Sequence, residues 1–380
     1  MHYDWLVVGA GFTGATLAER FASQLGQRVL VIDRRPHVGG NAYDEIDDAG
    51  VRVHRYGAHI FHTVSDRVWD YLSRFTEWLP YEHKVLASID GKLVPLPFNL
   101  NTLHALLPAA DAVALEERLV TAFGHDARVP VLSLMQHDDA GLRELGQYVH
   151  DTVFLNYTTK QWGMRPDELD RTVTGRVPIL VARDDRYFRD AHQGIPTEGF
   201  TAIFQKMLDH PSIDVETGLA LTDLGSSITW DRMLYTGPID ELFDHRHGVL
   251  PYRSLRFEHQ TIDVDRYQPV SVVNYPNEGR HTRIIEHAHF SLQHLGRTTI
   301  THEFPQAHQP GVNEPYYPVP QQANRERYDQ YVRDTVELDG RIVLAGRLAD
   351  YKYYDMDQAV AHALQLFKRI ATGVEEEVAA

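Results

Sequence analysis

The stretch 3–14, YDWLVVGAGFTG, limits the fold more than any other. Leu6, Val7 and Val8 form a short apolar run, the pattern of a strand buried on both faces. Gly9, Gly11 and Gly14 follow at the GxGxxG spacing, and residues 15–25 have helical character. In such a strand–turn–helix unit the first glycine allows the tight turn. The second lets backbone approach a pyrophosphate, and the third lets helix and strand pack closely. The start of the helix offers unpaired N–H groups and a partial positive charge to phosphates. A second apolar run, 29–32, ends in Asp33, nineteen residues after Gly14, where an acid meets an adenosine ribose hydroxyl. The spacing predicts a dinucleotide-binding α/β domain and suits NAD and FAD equally.

Arg34 and Arg35 come next, then Gly39, Gly40 and Asn41, a second glycine turn within reach of the same phosphates. This continuation, DRRPHVGGNAYD, resembles flavoproteins rather than dehydrogenases. Composition narrows the function classes. The 380 residues carry 37 basic and 53 acidic side chains, a formal charge of −16. That argues against nonspecific binding to nucleic acid or an anionic membrane, though it leaves room for a local basic pocket. With no cysteine, disulfides, thiol nucleophiles and cysteine-held iron–sulfur clusters are excluded. No apolar run is long enough to insert in a membrane, and the first strand begins almost at the N-terminus, without a signal peptide before it. A cytoplasmic enzyme is expected.

In the segment 51–63, VRVHRYGAHIFHT, His59 and His62 lack the spacing of metal ligands, and no metal is expected. Two short strands joined by Asp90 and Gly91 follow at 84–96. From 101 to about 171 the pattern turns helical, with helices expected at 103–107, 111–123 and 141–155. This all-helical insertion closes on 156–163, NYTTKQWG, whose aromatics suit either stacking on a base or filling a core. Strands at 213–215 and 233–236 return to the α/β unit, and 252–259, 270–275, 282–290 and 298–304 alternate like antiparallel strands. The segment 305–320 holds five prolines and reads as an extended crossing. A strand at 341–345, the turn Gly346-Arg347 and a helix at 358–370 then supply a second anion-binding end. The expected architecture is α/β. It combines a discontinuous FAD-binding Rossmann-like domain (1–80, 197–245 and 318–380), an inserted helical lobe (97–172) and an antiparallel β-sheet lobe (81–96, 173–196 and 246–317).

The strings VVGAGFTG, GGNAY, YGAHIFHT, LPFNLNT, YTTKQWG, QGIP, YTGPID, LPYRSLRFE, VVNYP, TRIIEH, EPYYPV and GRLADYKYYDMD occur in this order. Together they make the chain resemble the bacterial UDP-galactopyranose mutase family along nearly its whole length. The resemblance implies an isomerase with FAD, active in the reduced form, that interconverts pyranose and furanose forms of a nucleotide-linked galactose. It implies attack by the flavin N5 on the anomeric carbon, displacement of the nucleotide, and a flavin–sugar iminium while the ring opens. It also implies an external reductant such as NAD(P)H, and a homodimer.

Residue by residue, the resemblance places Arg283 on the diphosphate, with hydroxyl donors from Tyr317 and Tyr353. Tyr157 and Trp162 would hold the base and ribose, and Arg253 and Asn274 the sugar or flavin. Tyr187, Tyr316 and Asp355 are further substrate contacts. His59 lies in a loop facing the flavin and counts as both catalytic and cofactor-binding. The cofactor set is Gly9, Gly11, Gly14, Asp33, Arg34, Gly40 and Asn41, joined by Arg347 and Met356 from the second turn.

Two positions depart from the family pattern. An arginine is expected shortly after Arg176-Val177-Pro178, and Leu180 stands there; a tyrosine is expected before QGIP, and His192 stands there. Losing a charged contact costs about 1.5–3 kcal/mol if nothing replaces it, so either Arg176, Arg183 or His192 is expected to stand in or the nucleotide is expected to sit differently. Two substrates follow from this, UDP-galactose as the family default and a GDP-linked hexose such as GDP-galactose as the alternative. An FAD oxidoreductase of the amine-oxidase kind is the reading from another class.

Overall fold

The computed structural model describes residues 1–165, 168–169 and 178–373. The strand His2–Val8 lies at the centre of a five-stranded sheet, flanked by Val29–Asp33 and Thr229–Tyr235, with Ile213–Thr217 and Ile342–Leu344 at the edges. Every pairing in it is parallel. Such a sheet must be covered on both faces. One face packs on the helices Phe12–Leu25, Phe200–Leu208 and Met356–Thr372, with Trp5 stacked on Phe21 at 4.1 Å. The other buries Leu6, Leu30, Ile32 and Met233. Residues from the start, middle and end of the chain therefore share one sheet.

At the first turn, a Cβ on Gly14 would sit 1.9 Å from the Gly9 carbonyl oxygen. Only glycine lets helix and strand approach so closely, the role its spacing predicts.

A second sheet has seven strands in the order Tyr317–Pro318, Tyr252–Ile262, Thr298–Ala307, Arg283–Glu286, Val272–Asn274, Val85–Ile89, Lys92–Leu96. It is antiparallel as expected except at one place, where Val272–Asn274 runs parallel to Val85–Ile89. Between those two strands the chain makes the whole helical insertion, a connection long enough for a parallel crossover. A smaller antiparallel sheet has the order Phe61–Thr63, His192–Pro196, Trp78–Pro80.

The insertion differs from the sequence expectation in two respects. A short strand, Arg128–Pro130, pairs with Pro178–Leu180, so the insertion is not purely helical. The helix Ala140–Val149 also continues, through a π-helical turn at His150–Leu155, into Asn156–Trp162. Asp139 starts that run by accepting the Leu142 N–H at 3.0 Å. Leu142, Leu145 and Val149 recur at helical spacing and bury against Leu134, Phe98 and the sheet residue Ile89. Widened turns of this kind redirect the residues that follow and recur at functional sites; here Tyr157 and Trp162 follow. Among the described residues no helix is long and apolar enough to cross a membrane.

Candidate active site

A cavity of about 620 Å³ opens where the two helix starts of the parallel-sheet unit converge. On one side are Gly9, Gly11, Phe12 and Thr13; on the other are Gly346, Arg347, Asp355 and Met356. Gly11 caps its 14-residue helix without a side-chain hydrogen bond, which leaves the first-turn N–H groups free to meet an anion. A Cβ on Gly40 would lie 3.1 Å from the Gly11 Cα, so the two glycine turns form a cradle with backbone walls. Asp33 is fixed by two backbone donors, the Ala10 N–H and the Arg35 N–H, each at 2.9 Å. Its carboxylate faces the cavity with further lone pairs to offer.

Of the cofactor residues named from sequence, Gly9, Gly11, Asp33, Arg34, Gly40, Asn41, His59, Arg347 and Met356 all line this cavity. Gly14 lies behind it, in the helix–strand contact. Asp355, assigned to the substrate, lines the cavity too. His59 donates from Nδ1 to the Gly57 carbonyl at 2.8 Å, which fixes its tautomer. Burial, with help from His54 and Arg347, pushes its pKa down to about 3, so the ring is neutral at working pH.

Beside the cavity lies a second cluster, built on the seven-stranded sheet. Arg283 donates from Nη2 to the Tyr157 hydroxyl, brought there by the helix after the π turn. Its Nε lies 3.3 Å from Oε1 of Glu303, a side chain only 4% exposed. Burial alone would pull the guanidinium down; the Glu303 carboxylate and the Tyr157, Tyr317 and Tyr187 phenols together outweigh it and hold Arg283 well above its ordinary value. The side chain keeps 30% of its surface open. Burial raises the Tyr157, Tyr317 and Tyr353 phenols, so all three keep their protons and can donate. Trp162 lies 6.4 Å from the Tyr317 ring, and Tyr317 lies 5.7 Å from Tyr353. Arg347 stacks over Tyr353 at 5.1 Å and over Tyr317 at 5.8 Å. This one arginine thus joins the cofactor cavity to the phenol cluster.

Asn274 sits opposite Arg283 in the ladder, 8% exposed, and its buried Oδ1 has no partner. Arg253 donates from Nε to the Gln161 carbonyl at 2.9 Å and secures the end of the helix carrying Tyr157 and Trp162. Tyr187 lies near enough to contribute to the field at Arg283. Tyr316 lies 6.1 Å from the Tyr317 ring, whereas His192 is placed elsewhere. Tyr316 is 3% exposed and packs edge-on to Phe257. His192 hydrogen-bonds Asp66 at 2.7 Å and stacks on Trp69. Arg183 pairs with Glu116, and Arg176 lies outside the described residues.

Sequence reasoning missed Glu303, because strand register across a sheet is not written in a local pattern. It also missed Lys160, whose Nζ donates to the Tyr275 and Glu278 carbonyls at 2.7 Å each and pins the Tyr157 helix to the sheet. Lys160 was visible inside YTTKQWG. No group of three or more candidate metal ligands exists among the described residues.

Residues 152–353 match the UDP-galactopyranose mutase family, and residues 7–75 match an NAD(P)-binding Rossmann-like domain. The chain is 34% identical to a probable UDP-galactopyranose mutase of Klebsiella pneumoniae over 98% of its own length and 96% of that protein's. It is also 34% identical to a dTDP-fucopyranose mutase of Escherichia coli, covering 95% and 96% of the two chains. Among solved structures it resembles reduced UDP-galactopyranose mutase, with a TM-score of 0.72 and 17% identity over 99% of this chain and 95% of that one. A putrescine oxidase shares the fold more loosely, with a TM-score of 0.53 and 12% identity over 98% of this chain and 100% of that one. The cavity fits FAD. It has one helix start without a side-chain cap for a pyrophosphate, a glycine cradle that any Cβ would fill, and an acid placed for a ribose; the second helix start is capped by Asp355. The chain belongs to the UDP-galactopyranose mutase family and is an FAD-dependent pyranose–furanose mutase.

Proposed function

We propose that the chain interconverts the pyranose and furanose forms of a nucleotide-diphosphate galactose, with UDP-galactose as the first substrate. The observation that carries this reading is the Arg283 cluster, joined to the cofactor cavity through Arg347. FAD, bound reduced, supplies the nucleophile that keeps the sugar while its ring opens and recloses. A nucleotide diphosphate is already a good leaving group, so the protein's task is to bind its charge. Arg283 offers a planar fork to phosphate oxygens. Tyr157 accepts from Arg283 and so keeps its own proton to donate, and burial keeps the Tyr317 and Tyr353 phenols protonated. Trp162 gives a flat wall to the nucleoside, and Asn274 presents its free carbonyl oxygen to a sugar hydroxyl. Neutral His59 holds the Gly57 loop against the flavin end.

A second reading keeps the chemistry and changes the nucleotide to a GDP-linked hexose. Two placements favour it. Leu180 is buried in a strand, 4% exposed, and His192 is engaged by Asp66, so the arginine charge and the tyrosine hydroxyl that the family pattern has there are both missing. The relative named for dTDP-fucopyranose shows that equal identity accompanies a different nucleotide sugar. The division of labour we propose assigns 1–80, 197–245 and 318–380 to the cofactor, 97–172 to the nucleotide, and the remaining segments to the sheet beneath the sugar. An NAD(P)H-type reductant, a homodimer and a cytoplasmic location complete the reading, on the strength of the family likeness. Incubating the reduced enzyme with UDP-, GDP- and dTDP-hexoses tests it. Furanose product from one of them by chromatography supports the mutase. Oxygen-dependent consumption of an amine, with no furanose from any, supports the oxidoreductase instead.

A further inference from the structure

The twin arginines after Asp33 are drawn into a contact that their position does not foretell. Arg34 and Arg35 both reach Glu314 Oε2, at 2.9 and 3.0 Å. Glu314 belongs to neither the parallel sheet nor its helices. It lies in the proline-rich crossing between Thr298–Ala307 and Tyr317–Pro318. That crossing is anchored at both necks on the long strand of the other sheet, through His308 N–H to the Tyr252 carbonyl at 3.1 Å and Tyr316 N–H to the Arg253 carbonyl at 2.9 Å. Within it, Asn313 folds the loop on itself by accepting from the Gln309 N–H and donating to the Ala307 carbonyl. Glu314 precedes Pro315, which restricts its backbone to extended conformations, and its side chain reaches out of the loop to the two arginines. Both residues line the cofactor cavity, as do Arg34, Arg35 and Asp33. Glu241, also in the lining, lies 3.7 Å from Arg34.

We propose that Glu314 is the clasp of the cofactor site: by bridging Arg34 and Arg35 it fastens the crossing over the adenosine end of bound FAD and sets how fast the flavin leaves. Asp33 marks the ribose end of the cavity, and the arginines follow it directly, so the bridge closes the mouth where the adenosine enters. Arg35 is held from two further sides, by Asn41 Oδ1 at 3.0 Å and by the Tyr56 ring at 4.4 Å. The clasp thus has one rigid jaw, Arg35, 13% exposed, and one looser jaw, Arg34, 43% exposed. An ion pair at the rim of a binding site acts chiefly on rates and is weakened by salt.

The test follows flavin loss from the purified holoenzyme by its fluorescence after dilution into FAD-free buffer. Glu314→Gln keeps the shape and removes the charge. Release is expected to quicken by roughly tenfold, with the wild-type rate rising with salt and the variant rate nearly flat. Arg34→Gln should quicken release less, and the double variant should not exceed Glu314→Gln, because that substitution already breaks both ion pairs, including the one that Arg34→Gln removes. Equal release from wild type and Glu314→Gln, or additive effects in the double variant, would overturn the clasp. A wild-type protein purified without flavin would instead overturn the cofactor reading on which the clasp rests.

Discussion

Arg283 and Glu303 face each other across one antiparallel ladder, as direct register partners, with Nε and Oε1 3.3 Å apart. The pairing keeps a cation inside a largely buried cluster while leaving its Nη atoms to Tyr157 and the cleft. A carboxylate with little exposed surface that neutralises Arg283 completely would defeat phosphate binding; one that touches only Nε orients the fork instead.

Arg283→Ala should reduce kcat/KM by about three orders of magnitude while the protein still carries flavin, since Arg283 lies outside the cofactor cavity. Arg283→Lys keeps the charge, loses the fork, and should recover only part of that loss. Steady-state kinetics with the flavin absorbance of each preparation checks both; activity within a few-fold of wild type would remove Arg283 from the diphosphate.

Gly14→Ala drives a Cβ to within 1.9 Å of the Gly9 carbonyl oxygen, a backbone atom that cannot yield. It should cost about 1–3 kcal/mol or more and release flavin. Gly225→Ala, whose nearest neighbour would be Ser227 Oγ at 3.9 Å, is the control and should leave the melting temperature in place.

His54, His59 and His83 are each pushed down to about 3, in every case chiefly by burial. The unfolded chain takes up protons at these rings near the ordinary imidazole value of 6.5, and the folded chain does not. Their contribution is therefore whole above pH 6.5 and is lost as the pH falls toward 3. The melting temperature should drop between pH 7.5 and pH 5; a flat or rising profile would contradict the buried neutral state.

Leu180→Arg restores the side chain that the family pattern has after Pro178. Leu180 is 4% exposed, in a strand whose N–H bonds the Phe98 carbonyl. An arginine at this buried position would carry its charge out of water. A lower melting temperature and no tighter UDP binding are expected; tighter UDP at unchanged stability would show that the position opens on the nucleotide.

What was legible in the sequence was local. Gly9, Gly11, Gly14 and Asp33 sit in one continuous strand–turn–helix–strand unit, where spacing alone fixes the geometry, and six cofactor companions (Arg34, Gly40, Asn41, His59, Arg347 and Met356) were readable from short strings. What was not legible depends on distant residues meeting. Glu303 meets Arg283 only through strand register. Glu314 meets Arg34 across 280 positions of chain. The parallel pairing of Val272–Asn274 with Val85–Ile89 arises because the insertion intervenes. The helix run through the π turn to Trp162 was hidden because NYTTKQWG has no clear apolar period, and tertiary contacts from Lys160 and Arg253 hold it in place.

The most direct measurement is chromatography of a nucleotide-galactose panel after incubation with dithionite-reduced enzyme, with the flavin spectrum followed in the same sample. The account predicts that one pyranose and its furanose interconvert over many turnovers while the flavin stays reduced. No furanose from any member of the panel, or turnover that oxidises the flavin once per product, would contradict it.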